Sequence, residues 1–139
     1  MDMRRIAIGG ALAGGMALVV ACGGSSSSPG TTTTSSPSAG CTPSSSANTL
    51  VIQNNSICPQ ALTVTRGTQI TVLNSDSRAH EMDSDPHPEH TDCPELNQIG
   101  HLEPMQSRQS GNLNTPRKCG MHDHTLPDAA ALKATITIQ

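Results

Sequence analysis

The sequence offers no aromatic ring to bury: Trp, Tyr and Phe are all absent from its 139 residues. Any core must be aliphatic, with roughly 1.5–3 kcal/mol from each fully buried Ile, Leu, Val or Met. Hydrophobic residues amount to only 34%, low for a globular chain. A small domain this poor in apolar mass needs staples, either disulfides or a metal. The missing rings also remove the stacking platforms that bind RNA and single-stranded DNA. A formal net charge of −3 leaves no broad phosphate-binding surface, so no nucleic-acid partner is expected. Five Cys, six His and six Met are present, most of them in the last sixty residues. These are soft or borderline metal ligands.

The chain opens with an export signal. Arg4 and Arg5 form a short positive region, followed by an apolar run from Ile6 to Val20 broken by four glycines. The run is too short and Gly-rich for a membrane span and fits a secretory signal over residues 1–21. Its end, Val19-Val20-Ala21-Cys22, resembles a bacterial lipobox. That resemblance implies cleavage before Cys22 and lipidation of its sulfur. The chain would then face the periplasm or the exterior of a bacterial cell envelope. Removing residues 1–21 takes away two Arg and one Asp and leaves a net charge of −4. No polybasic patch supports the membrane contact, so the lipid alone is the expected anchor. Residues 22–48 follow as Ser, Thr, Gly and Pro with almost no charge. Such a segment cannot offset its ordering entropy and reads as a tether. Its mean reach is about 25–30 Å.

Residues 49–139 carry the folded domain. Leu50-Val51-Ile52 is one strand signal. Thr-Val and Thr-Ile alternation marks others at Leu62–Thr65, Ile70–Leu73 and Ala134–Ile138, with a turn at Arg66-Gly67. Ser107–Leu113 is a weaker candidate, and Asp128–Lys133 offers at most one helical turn. Many short strands separated by turns predict an all-β sandwich or barrel. Between them, residues 74–127 are rich in His, Pro, Asp and Asn and read as a long functional loop.

The chemistry concentrates near the end of that loop. Cys119-Gly-Met-His122-Asp-His124 places a thiol and two imidazoles within six residues. A thiolate, two imidazoles and a weak axial ligand form the blue-copper ligand set. His80, just after the Ile70–Leu73 strand, is the candidate for the distant imidazole. Together these residues resemble the cupredoxins, of the plastocyanin and azurin type. In that family a His follows an early strand, as in Asn74-Ser-Asp-Ser-Arg-Ala-His80 here. A Cys then opens the last loop, and a His follows as Cys-x2-His or Cys-x4-His, spacings met by His122 and His124. The resemblance covers residues 50–139. It implies a Greek-key β-sandwich with one copper ion held by His80, Cys119 and one or both of His122 and His124. It also implies electron transfer with a partner protein that the sequence does not name, rather than enzymatic turnover.

Several features depart from the family. No Met stands between His124 and the last strand, where the axial ligand belongs, and Met82 and Met121 are the substitutes within reach. The stretch from Ser84 to Cys93 is a His/Pro-rich insertion bringing His87, His90 and a further Cys. The site is therefore either non-blue with a fourth strong ligand or open to exogenous ligands. Two other functions stay on the table: a copper or zinc carrier without redox turnover, and an open-site copper enzyme acting on a small reactive oxygen or nitrogen species. His87 and His90 also fit a solvated surface, and His101 is not expected to ligate. Cys41, Cys58, Cys93 and Cys119 allow three disulfide pairings. Cys41–Cys58 is the local option, which leaves Cys93 and Cys119 either as a second disulfide or as thiols at the metal.

Overall fold

The computed structural model describes residues 40–139. The signal segment, Cys22 and the tether up to residue 39 lie outside the described residues. Among the described residues, nine strands make two sheets. In the first, β1 (Thr49–Gln53), β2 (Ser56–Cys58), β4 (Thr71–Asn74) and β7 (Ser107–Gln109) run in the order β2-β1-β4-β7. In the second, β3 (Ala61–Val64), β5 (His80–Ser84), β6 (Gly100–Leu102), β8 (Arg117–Asp123) and β9 (Ala134–Ile138) run in the order β3-β9-β8-β5-β6. Single 3-10 turns at Leu96–Gln98 and Ala130–Leu132 are the only helical elements among the described residues.

The alternating segments fold as their period dictates. Leu50 and Ile52 of β1, Val72 of β4 and Ile136 of β9 are fully buried, with Ile138 nearly so. Residues from both sheets enter one aliphatic core, which makes the two sheets the layers of a sandwich. Parallel pairing of β1 with β4 and of β3 with β9 brings segments far apart in sequence side by side. Gly67 takes a φ of 86°, which the tight turn between β3 and β4 requires and a side chain would resist.

Residues 74–127 differ from the expected loop, for β5, β6, β7 and β8 all lie there. Their inward positions are filled by residues that do not advertise a strand. In β8 the core side takes Cys119 and Met121, and in β5 it takes Met82. Both staples are disulfides: Cys41–Cys58 and Cys93–Cys119. Cys41, placed in the tether by composition, is buried and tied to the end of β2.

Candidate metal centre

Side chains alternate between the faces of a strand. On β8, Cys119, Met121 and Asp123 point one way, while Gly120 and His122 point the other. Asp83 of β5 lies opposite His122, and Met82 lies opposite Asp123. The β5–β8 pair thus has two chemically distinct faces. The inward face carries His80, Met82, Cys119, Met121 and Asp123. The outward face carries Asp83, Gly120 and His122, and it extends to His124, whose N–H bonds to the Glu81 carbonyl.

The residues expected to bind one metal are divided between these faces. Cys119 is bonded to Cys93 and fully buried, so it offers no thiolate. His80 is also buried, and both of its ring nitrogens meet carboxylates. Nδ1 lies 2.7 Å from Asp123 Oδ2 and Nε2 3.0 Å from Asp76 Oδ2. Both nitrogens are thus taken up by carboxylate partners. Met82 and Met121 are core side chains. Of the expected set, the structure brings His122 and His124 together and places Cys119 in a disulfide and His80 between two carboxylates. Cys119 and His122 would converge on a tight loop, but in the extended strand that they occupy residues three apart point to opposite faces.

His122 and His124 instead meet His87 and His90. One ligand atom from each of these four lies within 4.8 Å of the others. The rings of His87 and His90 each sit 4.9 Å from that of His124, and 5.5 and 5.3 Å from that of His122. The insertion supplies the first two. The His90 N–H bonds to the Pro86 carbonyl, and Asn97 spans the loop, accepting from the Ser84 N–H and donating to the His90 carbonyl. This clamp holds His90 at a φ of 54°, a conformation costly for a residue with a Cβ. The Cys93–Cys119 bond then fastens the far end of the loop to β8. Asn97 carried no sequence signal, because its role depends on a distance that only the fold sets.

Two carboxylates stand behind the imidazoles. His122 Nδ1 donates to Asp85 Oδ1 at 2.7 Å. Its Nε2 is buried and has no hydrogen-bond partner. Asp85 reaches this position over Gly120: a Cβ there would overlap Asp85 Oδ2. Asp83 Oδ2 lies 3.8 Å from His90 Nδ1 and 3.7 Å from His124 Nδ1. A carboxylate on one imidazole nitrogen is the usual way to fix which nitrogen faces a metal. On the inward face, burial alone would raise the carboxyl of Asp123. The Thr125 hydroxyl and N–H together with His80 outweigh that and hold it below its usual range. Asp76 is likewise held low, because burial is outweighed by His80 and the N–H groups of Asn54 and Asn55.

The donor set fits a transition-metal ion. With metal–nitrogen bonds of about 2.0–2.1 Å, tetrahedral neighbours stand about 3.3 Å apart. His90 Nε2 and His124 Nδ1 are 3.2 Å apart. The unpartnered Nε2 of His122 is an orphaned buried acceptor that such an ion would satisfy. Beside the cluster lies a cavity of about 410 Å³, with His87 and His122 on its wall.

No family model and no curated protein sequence matches the chain. Solved structures do. Oxidized plastocyanin from Dryopteris crassirhizoma aligns at 19% identity with a TM-score of 0.51, over 66% of this chain and 99% of that one. A point mutant of amicyanin in its Cu(I) form aligns at 15% identity with a TM-score of 0.52, over 67% and 82%. A purple cupredoxin from Nitrosopumilus maritimus aligns at 15% identity with a TM-score of 0.51, over 68% and 100%. The chain has the cupredoxin fold.

Proposed function

We propose that this is a lipid-anchored copper protein of the bacterial cell envelope. One copper ion is held by His87, His90, His122 and His124. The observation that carries this reading is the convergence of four imidazoles on the outward face of β5–β8, with His122 Nε2 buried and unpartnered. Neutral imidazoles suit copper and zinc alike, and among divalent first-row ions copper binds such a site most tightly. Similarity to plastocyanin, amicyanin and a purple cupredoxin supports copper over zinc. Bound copper supplies one-electron exchange between Cu(I) and Cu(II). Asp85 holds His122 with its Nε2 toward the ion, Asp83 stands behind His90 on its Nδ1 side, and the clamped insertion delivers His87 and His90. Electron exchange with a partner protein is the role that the fold supports. It proceeds here without a thiolate, because the Cys119 sulfur is occupied. A second reading, small-molecule chemistry at an open copper position, is favoured by the cavity against His87 and His122.

Copper titration of the exported protein, with His122→Ala and His80→Ala beside wild type, tests the assignment. Wild type and His80→Ala are expected to take up one equivalent, with His122→Ala losing tight binding. Loss in His80→Ala and retention in His122→Ala would return the site to the inward face.

A further inference from the structure

The four histidines come from two pieces of chain, and a disulfide joins those pieces. His87 and His90 belong to the insertion that Cys93 closes, while His122 and His124 stand on β8 and just past its end, after Cys119. The Cys93–Cys119 bond therefore sits at the root of both halves. Weaker ties also link the insertion to β8. The Asp85 N–H donates to the Gly120 carbonyl at the near end of the loop, and Arg117 pairs with Glu95 at a partly exposed contact of little worth. Cys93 and Cys119 are both fully buried in the aliphatic core. A thiol can attack such a bond only after the insertion lifts away from β8, which is a local opening. An ion held by all four imidazoles joins the same two pieces and must be given up for that opening to occur. Cys41–Cys58 is the contrast. It fastens the chain ahead of β1 to β2 of the first sheet and packs in a separate small cluster with Val51. The four imidazoles belong to the other sheet and its loops.

We propose that the Cys93–Cys119 disulfide is a redox latch on the metal site: a thiol reductant that breaks this bond loosens the ion, and a bound ion protects the bond. The inference rests on the four-histidine reading. In the exchange, two reductant thiols give up two electrons and two protons. The S–S bond breaks to two S–H groups, and the reductant leaves as its own disulfide. Cu(I) and Zn(II) keep their charge through this step. With the bond cut, the far half of the insertion is free to move, and the entropy of fixing His87 and His90 falls on metal binding. Linkage makes the two effects one. Whatever factor the intact bond adds to metal affinity, the bound metal adds to the equilibrium in favour of the bond.

The test uses Zn(II), which imidazoles bind as they do copper and which has no redox chemistry with thiols. Disulfide-bonded protein is placed in a glutathione buffer, sampled over time and alkylated, and the labelled cysteines are mapped by mass. With zinc about a hundredfold above its Kd, reduction of Cys93–Cys119 is expected to slow about tenfold or more, while Cys41–Cys58 keeps its rate. In His122→Ala, zinc should protect neither bond. The double variant Cys93→Ala/Cys119→Ala leaves no thiol there to take metal. It is expected to bind zinc about tenfold more weakly than wild type, with amide protection across β1 and β4 reporting that the sandwich is folded. If it does not fold, the reduction rates of the wild-type protein decide alone. Equal rates with and without zinc overturn the latch. Equal slowing of both disulfides also overturns it, because the ion would then act through global stability. Disulfide-intact protein that takes up neither zinc nor copper overturns the metal reading and the latch with it.

Discussion

At the scale of single residues, the centre depends on a side chain that is missing. Gly120 leaves the space through which Asp85 reaches His122, and a methyl group there would overlap the carboxylate. Gly120→Ala should therefore push Asp85 aside and free the His122 ring to turn. Loss of such an outer partner typically costs 10–100-fold in metal affinity, and about that loss is expected in a copper competition titration. In an Asp85→Ala background the same Gly120→Ala change should cost little more, since the carboxylate it displaces is already gone. Additive losses would mean that Gly120 acts on the strand itself. A second residue-scale expectation concerns acid. Asp76 and Asp123 have carboxyls held below their usual range. Their stabilising contribution is complete above the unfolded value of about 3.9 and is lost as pH falls through the folded value. Thermal unfolding should thus show stability dropping below about pH 4, with Asp76→Asn less stable at neutral pH and flatter in acid. Far-UV circular dichroism must report it, since no aromatic side chain is present. An Asp76→Asn profile parallel to wild type would contradict the His80–Asp76 pairing.

At the scale of elements, the strands rich in Thr-Val and Thr-Ile were legible because one face of each is aliphatic and the other polar. β5 and β8 were not, because His, Asp, Cys and Met stand where an aliphatic face alternating with Thr would mark a strand. Cys119 and His122 stand out in the sequence, but their relation hinges on whether the backbone between them is a loop or a strand. The answer comes from pairing with β5 and β9, which no local pattern contains. The same limit hid the role of the insertion. His87 and His90 stand between prolines and acids and look solvated until the loop is folded back over β8. Asn97 does much of that folding through its bonds to Ser84 and His90. Asn97→Ala removes both bonds, each contributing about 0.5–1.5 kcal/mol. It should lower copper affinity by tenfold or more and speed amide exchange across the insertion while the β1–β4 amides stay protected. Unchanged exchange at His90 would show that the disulfide alone holds the loop.

At the scale of the whole molecule, two disulfides staple the described sandwich. The proposed lipid on Cys22 would tie this domain to a membrane. Cys22→Ala should release the protein from the membrane fraction or leave it unprocessed, as fractionation and intact mass would show. A variant still processed, acylated and membrane-bound like wild type would contradict the lipobox. Metal also belongs to this scale, because an ion that binds only the folded state stabilises the entire small aliphatic core. The central claim is that copper sits on four imidazoles outside the sheet and not on a thiolate within it. Its most direct test is the optical and EPR spectrum of the disulfide-intact protein loaded with one equivalent of Cu(II). A weak visible band with nitrogen hyperfine structure from imidazole ligands is predicted. An intense thiolate-to-copper band with narrow copper hyperfine splitting would contradict the account and put Cys119 back at the metal.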